Sequence, residues 1–159
     1  MKKLLAIAIA ATMLSGLYGL TLSLSGAFQD ITNEYEGGAY LGAKVDIIMG
    51  LLPILKARGF LMELDFSEGT PMTFGTFTGT DLLINIPMAA SVQPYVVTGF
   101  WFVKDEYMTI KGGLGAEMGF GNVSGYLEGN INFFKPDQGD SYMPINIMGG
   151  LRFPLNFGL

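Results

Sequence analysis

The sequence predicts an all-β fold, an antiparallel barrel of eight strands that run up and down in chain order. Seven segments carry an apolar residue at every second position, which is the period of a strand with one apolar face. The connections between segments alternate between long polar stretches and tight turns. The chain also has 23 glycines and only 14% charged residues, and an ordinary soluble surface is hard to build from so few charges.

Residues 1–19 have the layout of a cleavable signal peptide, which leaves 20–159 as the barrel domain. Lys2 and Lys3 are followed by an apolar run from Leu4 to Leu14 and then by small residues. The alternative is a membrane anchor, but a spanning helix needs about 20 apolar residues. Export of a chain without cysteine fits a protein of the bacterial envelope.

The predicted strands share an apolar face and a face of small, polar or charged residues. In chain order, these seven segments lie at 20–25, 41–48, 60–66, 81–88, 110–120, 126–133 and 145–157. An eighth segment, Tyr95 to Lys104, is apolar at both parities, so its facing stays open. Long connections are expected near 29–38, 68–77, 105–109 and 135–142, and short ones near 50–56, 89–94 and 121–122. Short turns at one end and longer loops at the other are typical of outer-membrane barrels.

The polar face decides between two kinds of barrel. A soluble lipocalin-like barrel in the periplasm would turn a face rich in Lys and Glu to water. Here that face holds mostly Gly, Ser and Asn, which suit the crowded interior of a narrow barrel. The opposite face is apolar and lacks charge over its central stretches, as lipid requires. We therefore predict a transmembrane β-barrel in the outer membrane.

Aromatic residues fall near both ends of the predicted strands, like the two interfacial belts of a membrane barrel. One belt is predicted at Phe60, Tyr95, Phe120, Phe153 and Phe157. The other is predicted at Phe28, Tyr40, Phe66, Phe77, Phe102, Phe133 and Tyr142.

The polar faces carry charges that would point into the barrel, six acidic and three basic. A structural charge cluster is predicted from Lys44, Glu63, Asp65, Lys111, Glu117, Glu128 and Arg152, with Asp46 and Asp81 on the same faces. Buried charges must be paired, and the planar guanidinium of Arg152 is suited to bridge Glu117 and Glu128. The surplus of acids implies that some carboxylates are protonated, lie near the mouth or hold a cation. The alternative is a polar pore or a proton-linked site.

The stretch IKGGLGAEMGFGNVSGYLEGNINFF at 110–134, the Gln93-Pro94-Tyr95 segment and the closing NIMGGLRFPLNF resemble the small eight-stranded outer-membrane β-barrel proteins of the OmpA/OmpX/OmpW-like group. This resemblance implies outer-membrane lipid and the barrel-assembly machinery as partners. The alternating apolar residues of the last strand look like that group's assembly signal. The chain departs from the pattern by ending in Leu159 instead of an aromatic residue.

Composition excludes several functions. Without Cys or His the chain cannot form a disulfide, a Cys nucleophile, a Ser-His-Asp relay or an imidazole metal site. A net charge of −5 argues against nucleic acid as a partner. We expect no enzyme and no cofactor, but a structural, surface-contact or narrow-channel role. The alternative function is to carry a small apolar ligand beside Trp101, and the run at 135–141 is a weak calcium candidate.

Overall fold

A computed structural model describes residues 19–29, 40–66, 73–74, 79–103, 107–136 and 140–155. Apart from Gly19, the predicted signal peptide lies outside these residues. Nine strands run through the described chain: β1 (Leu20–Gln29), β2 (Tyr40–Leu52), β3 (Leu55–Asp65), β4 (Thr73–Phe74), β5 (Gly79–Asn85), β6 (Val92–Val103), β7 (Tyr107–Phe120), β8 (Val123–Pro136) and β9 (Ile145–Leu155). No helix long enough and apolar enough to cross a membrane occurs within these ranges.

The strands form one closed antiparallel sheet. Pairing runs in the order β2, β1, β9, β8, β7, β6, β5, β3, and β3 pairs with β2 to close the ring. The two-residue strand β4 pairs with the same side of β3 as β5 does, so β4 and β5 share one position in the wall. The wall therefore has eight positions, and the predicted eight-stranded antiparallel barrel is confirmed. Closure pairs the edge strands that an open sheet would leave exposed.

The two ends of the barrel differ in their connections. The short-turn end carries residues 53–54, 86–91 and 121–122, the start of β1 and the end of β9. Its tightest turns have two residues, and Gly121 adopts a φ of 68° there, a conformation that favours glycine. The loop end carries the other connections, most of whose residues lie outside the described part. The predicted short connections lie at the short-turn end, but two predicted long connections differ from the structure. The strand β4 lies within the connection predicted at 68–77, and the one predicted at 105–109 has only the three residues 104–106, fewer than the six at 86–91.

Neighbouring residues on a strand face opposite sides of the wall. Ser23 and Ser25 are buried in the lumen, whereas Leu24 between them is 43% exposed on the outside. The same alternation settles the facing of β6, because Tyr95 and Val97 are buried and Phe100 is 48% exposed. A strand that is apolar on both faces thus contributes one face to the lumen and one to the outer surface.

An irregularity in β3 overturns part of the predicted facing. Asp46 of β2 pairs with Phe60, but the preceding Val45 pairs with Met62, so Leu61 is an extra residue. This bulge reverses the parity of β3, as an inserted residue must. Phe60 therefore faces the lumen, where its ring lies 5.5 Å from that of Trp101.

Two members of one predicted aromatic belt are consequently wrong. Phe60 lies inside the barrel because of the bulge in β3. Tyr95 lies inside because β6 turns that parity toward the lumen, where the side chain is 1% exposed. Phe120, predicted for the same belt, is 63% exposed at the short-turn end.

Candidate functional site

Asp81 of β5 accepts hydrogen bonds from three side chains inside the lumen. Its Oδ2 atom accepts from Arg58 Nη2 at 2.6 Å and from Lys111 Nζ at 3.0 Å. Its Oδ1 atom accepts from the indole Nε1 of Trp101 at 2.9 Å. Glycine at position 99 makes room for this carboxylate, because a Cβ there would collide with the Asp81 side chain. Asp81 is 2% exposed, so these donors replace the water that a carboxylate otherwise needs.

The guanidinium of Arg58 spans the lumen. It donates from Nη1 to Glu128 Oε2 at 2.8 Å and from Nη2 to Glu128 Oε1 at 2.9 Å. Glu128 lies on β8, which is four positions away from β3 in either direction around the eight-position wall. The two-pronged pairing suits the planar geometry of arginine and carboxylate. One ion pair therefore connects opposite sides of the barrel.

Arg152 forms a second ion pair closer to the short-turn end. Its Nη1 atom donates to Glu117, which also accepts a hydrogen bond from Ser124. The guanidinium lies 4.0 Å from the ring centre of Tyr126 and 5.0 Å from that of Tyr95, distances at which aromatic rings attract a cation. The positive charge is thus held by a carboxylate and two aromatic faces.

Tyr95 joins the two ion pairs. Its hydroxyl donates to Glu128 Oε2 at 3.1 Å and accepts from Arg152 Nη2 at 3.1 Å. Its ring packs with the buried side chains of Ile48, Leu83 and Val97. The lumen therefore contains an apolar layer as well as a charged one.

We call the connected ionic side chains the lumen charge cluster: Lys56, Arg58, Asp81, Lys111, Glu117, Glu128 and Arg152. Four residues predicted for the interior cluster, Lys111, Glu117, Glu128 and Arg152, belong to it. Lys44 and Glu63 form a separate pair at 3.1 Å nearer the loop end. Asp65 ends β3, and its side chain lies outside the described part.

The predicted pairing of Arg152 requires a correction. Arg152 contacts Glu117, but Glu128 pairs with Arg58 and reaches Arg152 only through the Tyr95 hydroxyl. The sequence reasoning missed Lys56 and Arg58, because β3 begins at Leu55 within a predicted turn and then changes parity at the bulge. The signal in the sequence that could have identified both cations is the segment Lys56-Ala-Arg58, which lies just before the predicted strand at 60–66 and places two cations on the same face of an extended chain.

These two cations also change the predicted charge balance of the lumen. Among the described side chains, the lumen holds five acids and five cations instead of six and three: Asp46, Glu63, Asp81, Glu117 and Glu128 against Lys44, Lys56, Arg58, Lys111 and Arg152. The described lumen therefore shows no surplus of acid.

The arrangement is suited to holding the barrel together more than to catalysis. Asp81, Glu117 and Glu128 each accept from at least two donors, so none is a free general base. Within the described ranges, no group of three or more acidic side chains is placed to hold a metal ion. The weak calcium candidate at 135–141 lies only partly within them.

Comparison with known proteins identifies a fold and no relative in sequence. No protein-family model matches the chain, and no curated protein matches its sequence. The fold is similar to that in the crystal structure of Neisserial surface protein A (NspA), with a TM-score of 0.56 and 9% identity over 86% of this chain and 96% of that one. The likeness supports the eight-stranded barrel.

Proposed function

We propose that this protein spans the bacterial outer membrane as a closed, non-enzymatic barrel with a structural or surface-contact role. The observation that carries the proposal is the outer face of the wall. Large apolar side chains are exposed there on successive strands, for example Leu24, Phe100, Leu114, Leu127 and Ile147. Soluble monomers rarely expose so large a continuous apolar surface.

Charge is nearly absent from the same face. Among described strand residues, the exception is Lys135, next to the loop-end residue of β8. A charge in the middle of a membrane barrel's outer face would cost about 2–4 kcal/mol. A soluble periplasmic barrel would instead require charges on this face. The closed sheet also meets lipid's demand that backbone polar groups be paired within the protein.

The contents of the lumen favour a closed barrel over a channel. Arg58 and Glu128 join opposite sides of the wall, and an eight-stranded barrel is only wide enough for side chains to fill. Beside this pair, Ile48, Leu83 and Val97 form an apolar layer at which ions would lose their hydration. We infer that the barrel does not conduct ions in its ground state.

The fold of the chain is similar to that of NspA, a protein named for the cell surface, and this likeness supports the proposed outer-membrane barrel at the level of fold. Outer-membrane lipid would surround the barrel, and the assembly machinery for such barrels would insert it.

The alternative function, the binding of an apolar ligand beside Trp101, is less favoured. The indole N–H is bonded to Asp81, and the ring packs against Phe60.

The test uses the full chain produced in a bacterium with an outer membrane. Membrane fractions are run on a detergent gel with and without boiling, since a folded membrane barrel resists the detergent until it is heated. We expect the protein in the membrane fraction with a heat-dependent shift in mobility. Recovery in the soluble fraction without a shift would refute the membrane placement. A steady large conductance of the purified barrel in a planar bilayer would refute the closed lumen.

A further inference from the structure

Asp46 of β2 differs from the other buried carboxylates of the lumen. Its side chain is buried, and its Oδ2 atom accepts no hydrogen bond from any residue in the described part of the chain. Asp81 and Glu128 are buried to the same degree, and each accepts hydrogen bonds from three side chains. Among the described residues, Asp46 therefore lacks the donors that stabilise a buried anion.

The strands on either side of Asp46 carry no charge opposite it. Its cross-strand neighbours are Ser23 of β1 and Phe60 of β3. The Ser23 hydroxyl donates to the hydroxyl of Tyr126 at 3.4 Å, and the ring of Phe60 has no donor. The buried hydroxyl of Ser25, two residues further along β1, has no hydrogen bond to any described residue, so it does not donate to Asp46 either.

The cations near Asp46 are already paired with other carboxylates. The charged residues that act on it come from β2, β3, β5 and β7 and are Lys44, Arg58, Asp81 and Lys111. Arg58 donates from Nε, Nη1 and Nη2 to Asp81 and Glu128. Lys111 donates from Nζ to Asp81 at 3.0 Å. These two cations and two carboxylates balance in charge, so an ionised Asp46 would be a third anion beside them.

The other described cations of the lumen are also paired. Lys44 forms an ion pair with Glu63 at 3.1 Å. Lys56 and Arg152 both pair with Glu117, closer to the short-turn end, and Lys56 is 31% exposed, so water reaches the surplus positive charge there. The charges around the unpaired carboxyl of β2 are therefore balanced without a charge on that carboxyl.

We propose that Asp46 is a proton-binding site of the lumen, which carries a proton at neutral pH and makes the folded barrel less stable as the pH rises. A buried carboxyl without its own cation costs less as the neutral acid than as the anion. In the unfolded chain the same carboxyl is in water and is ionised above about pH 5. Unfolding therefore releases this proton, and a rise in pH favours the unfolded state. The inference concerns a lumen residue and does not depend on the membrane placement.

Infrared spectroscopy of the folded, full-length barrel in neutral phosphatidylcholine vesicles detects the proton directly. The protein carries aspartate labelled with carbon-13 at the side-chain carboxyl, so that the C=O stretching band of a protonated aspartic acid is identified by its isotope shift. At neutral pH we expect this band in the natural protein, its loss in Asp46→Asn, and its retention in Glu117→Gln, which removes an acid with two cation partners. Asp46→Leu is a second variant if Asp46→Asn does not fold. Absence of the band from the natural protein, or its retention in the Asp46 variants, would overturn the proposal.

The pH dependence of stability tests the consequence. Urea unfolding in the same vesicles compares the natural protein, Asp46→Asn and Glu117→Gln between about pH 5 and about pH 8, where a free aspartate is ionised. Because unfolding of the natural protein releases one additional proton, its unfolding equilibrium constant should rise about tenfold per pH unit relative to that of Asp46→Asn. Glu117→Gln should keep the pH dependence of the natural protein. A heat-dependent gel shift verifies that each variant is folded. Equal pH dependence of the natural protein and Asp46→Asn would overturn the proposal.

Discussion

Replacing Arg58 with methionine removes the guanidinium that pairs with both Asp81 and Glu128. Asp81 would keep Lys111 and the Trp101 indole. Glu128 would keep only the neutral donors Tyr95 and Asn130 in direct contact, although its side chain is 0% exposed. A buried carboxylate that loses its cation typically costs about 3–5 kcal/mol, and we expect Arg58→Met to lower the free energy of unfolding by about that amount.

The measurement is urea unfolding of the barrel in neutral lipid vesicles, followed by the fluorescence of Trp101, the sole tryptophan. Lys44→Met is the matched control, because the Lys44–Glu63 pair is 19% and 21% exposed whereas the Arg58–Glu128 pair is 3% and 0% exposed, so the loss of Lys44 should cost less. The double variant Arg58→Met/Glu128→Gln should recover part of the lost free energy of unfolding, because it removes the negative charge of Glu128 that Arg58→Met leaves without a cation. Equal stability of Arg58→Met and the natural protein would refute the reasoning, as would an equal loss in the Lys44 control.

Two further predictions concern the outer face and the packing of the lumen. Leu114→Arg, at the middle of β7, should lower the free energy of unfolding in bilayers by about 2–4 kcal/mol, whereas Leu52→Arg at the short-turn end should cost about 1 kcal/mol or less. Equal losses in a urea titration would contradict a lipid-facing wall. Gly115→Ala should cost about 1–3 kcal/mol because the new Cβ collides with the Tyr95 ring, whereas Gly119→Ala meets nothing within 4 Å. Indistinguishable unfolding midpoints for these two variants would contradict the described packing.

The facing of most strands could be predicted because it is a local property. In β1 and β8 the side chains alternate between the two faces without interruption. The alternation of Leu with Ser in β1, and of apolar residues with Asn in β8, therefore shows which face is the outer face and which faces the lumen. In β6 the same rule gave no answer, since Val96 and Val97 are equally apolar. Only the neighbouring strands decide that Val97 packs with Ile48 and Leu83 inside the barrel.

The charge cluster was predictable in kind but not in its partners. That Glu117 and Arg152 face the lumen follows from strand parity alone. Arg58 faces the lumen because of the extra residue Leu61. The position of this bulge is set by how β3 pairs with β2, and the sequence of β3 alone does not show it. The choice of Arg58 over Arg152 as the partner of Glu128 depends on which strands are opposite each other in the closed ring.

The amino-acid sequence by itself determined that this chain forms strands with one apolar and one polar face, joined by turns and loops. These features arise from the alternation of side chains along an extended backbone and from local turn chemistry. The tertiary structure decided which side of β6 is inside, where β3 changes parity, and which cation pairs with each of Asp81, Glu117 and Glu128. Those outcomes depend on the register between strands that are distant in sequence, which no local pattern encodes.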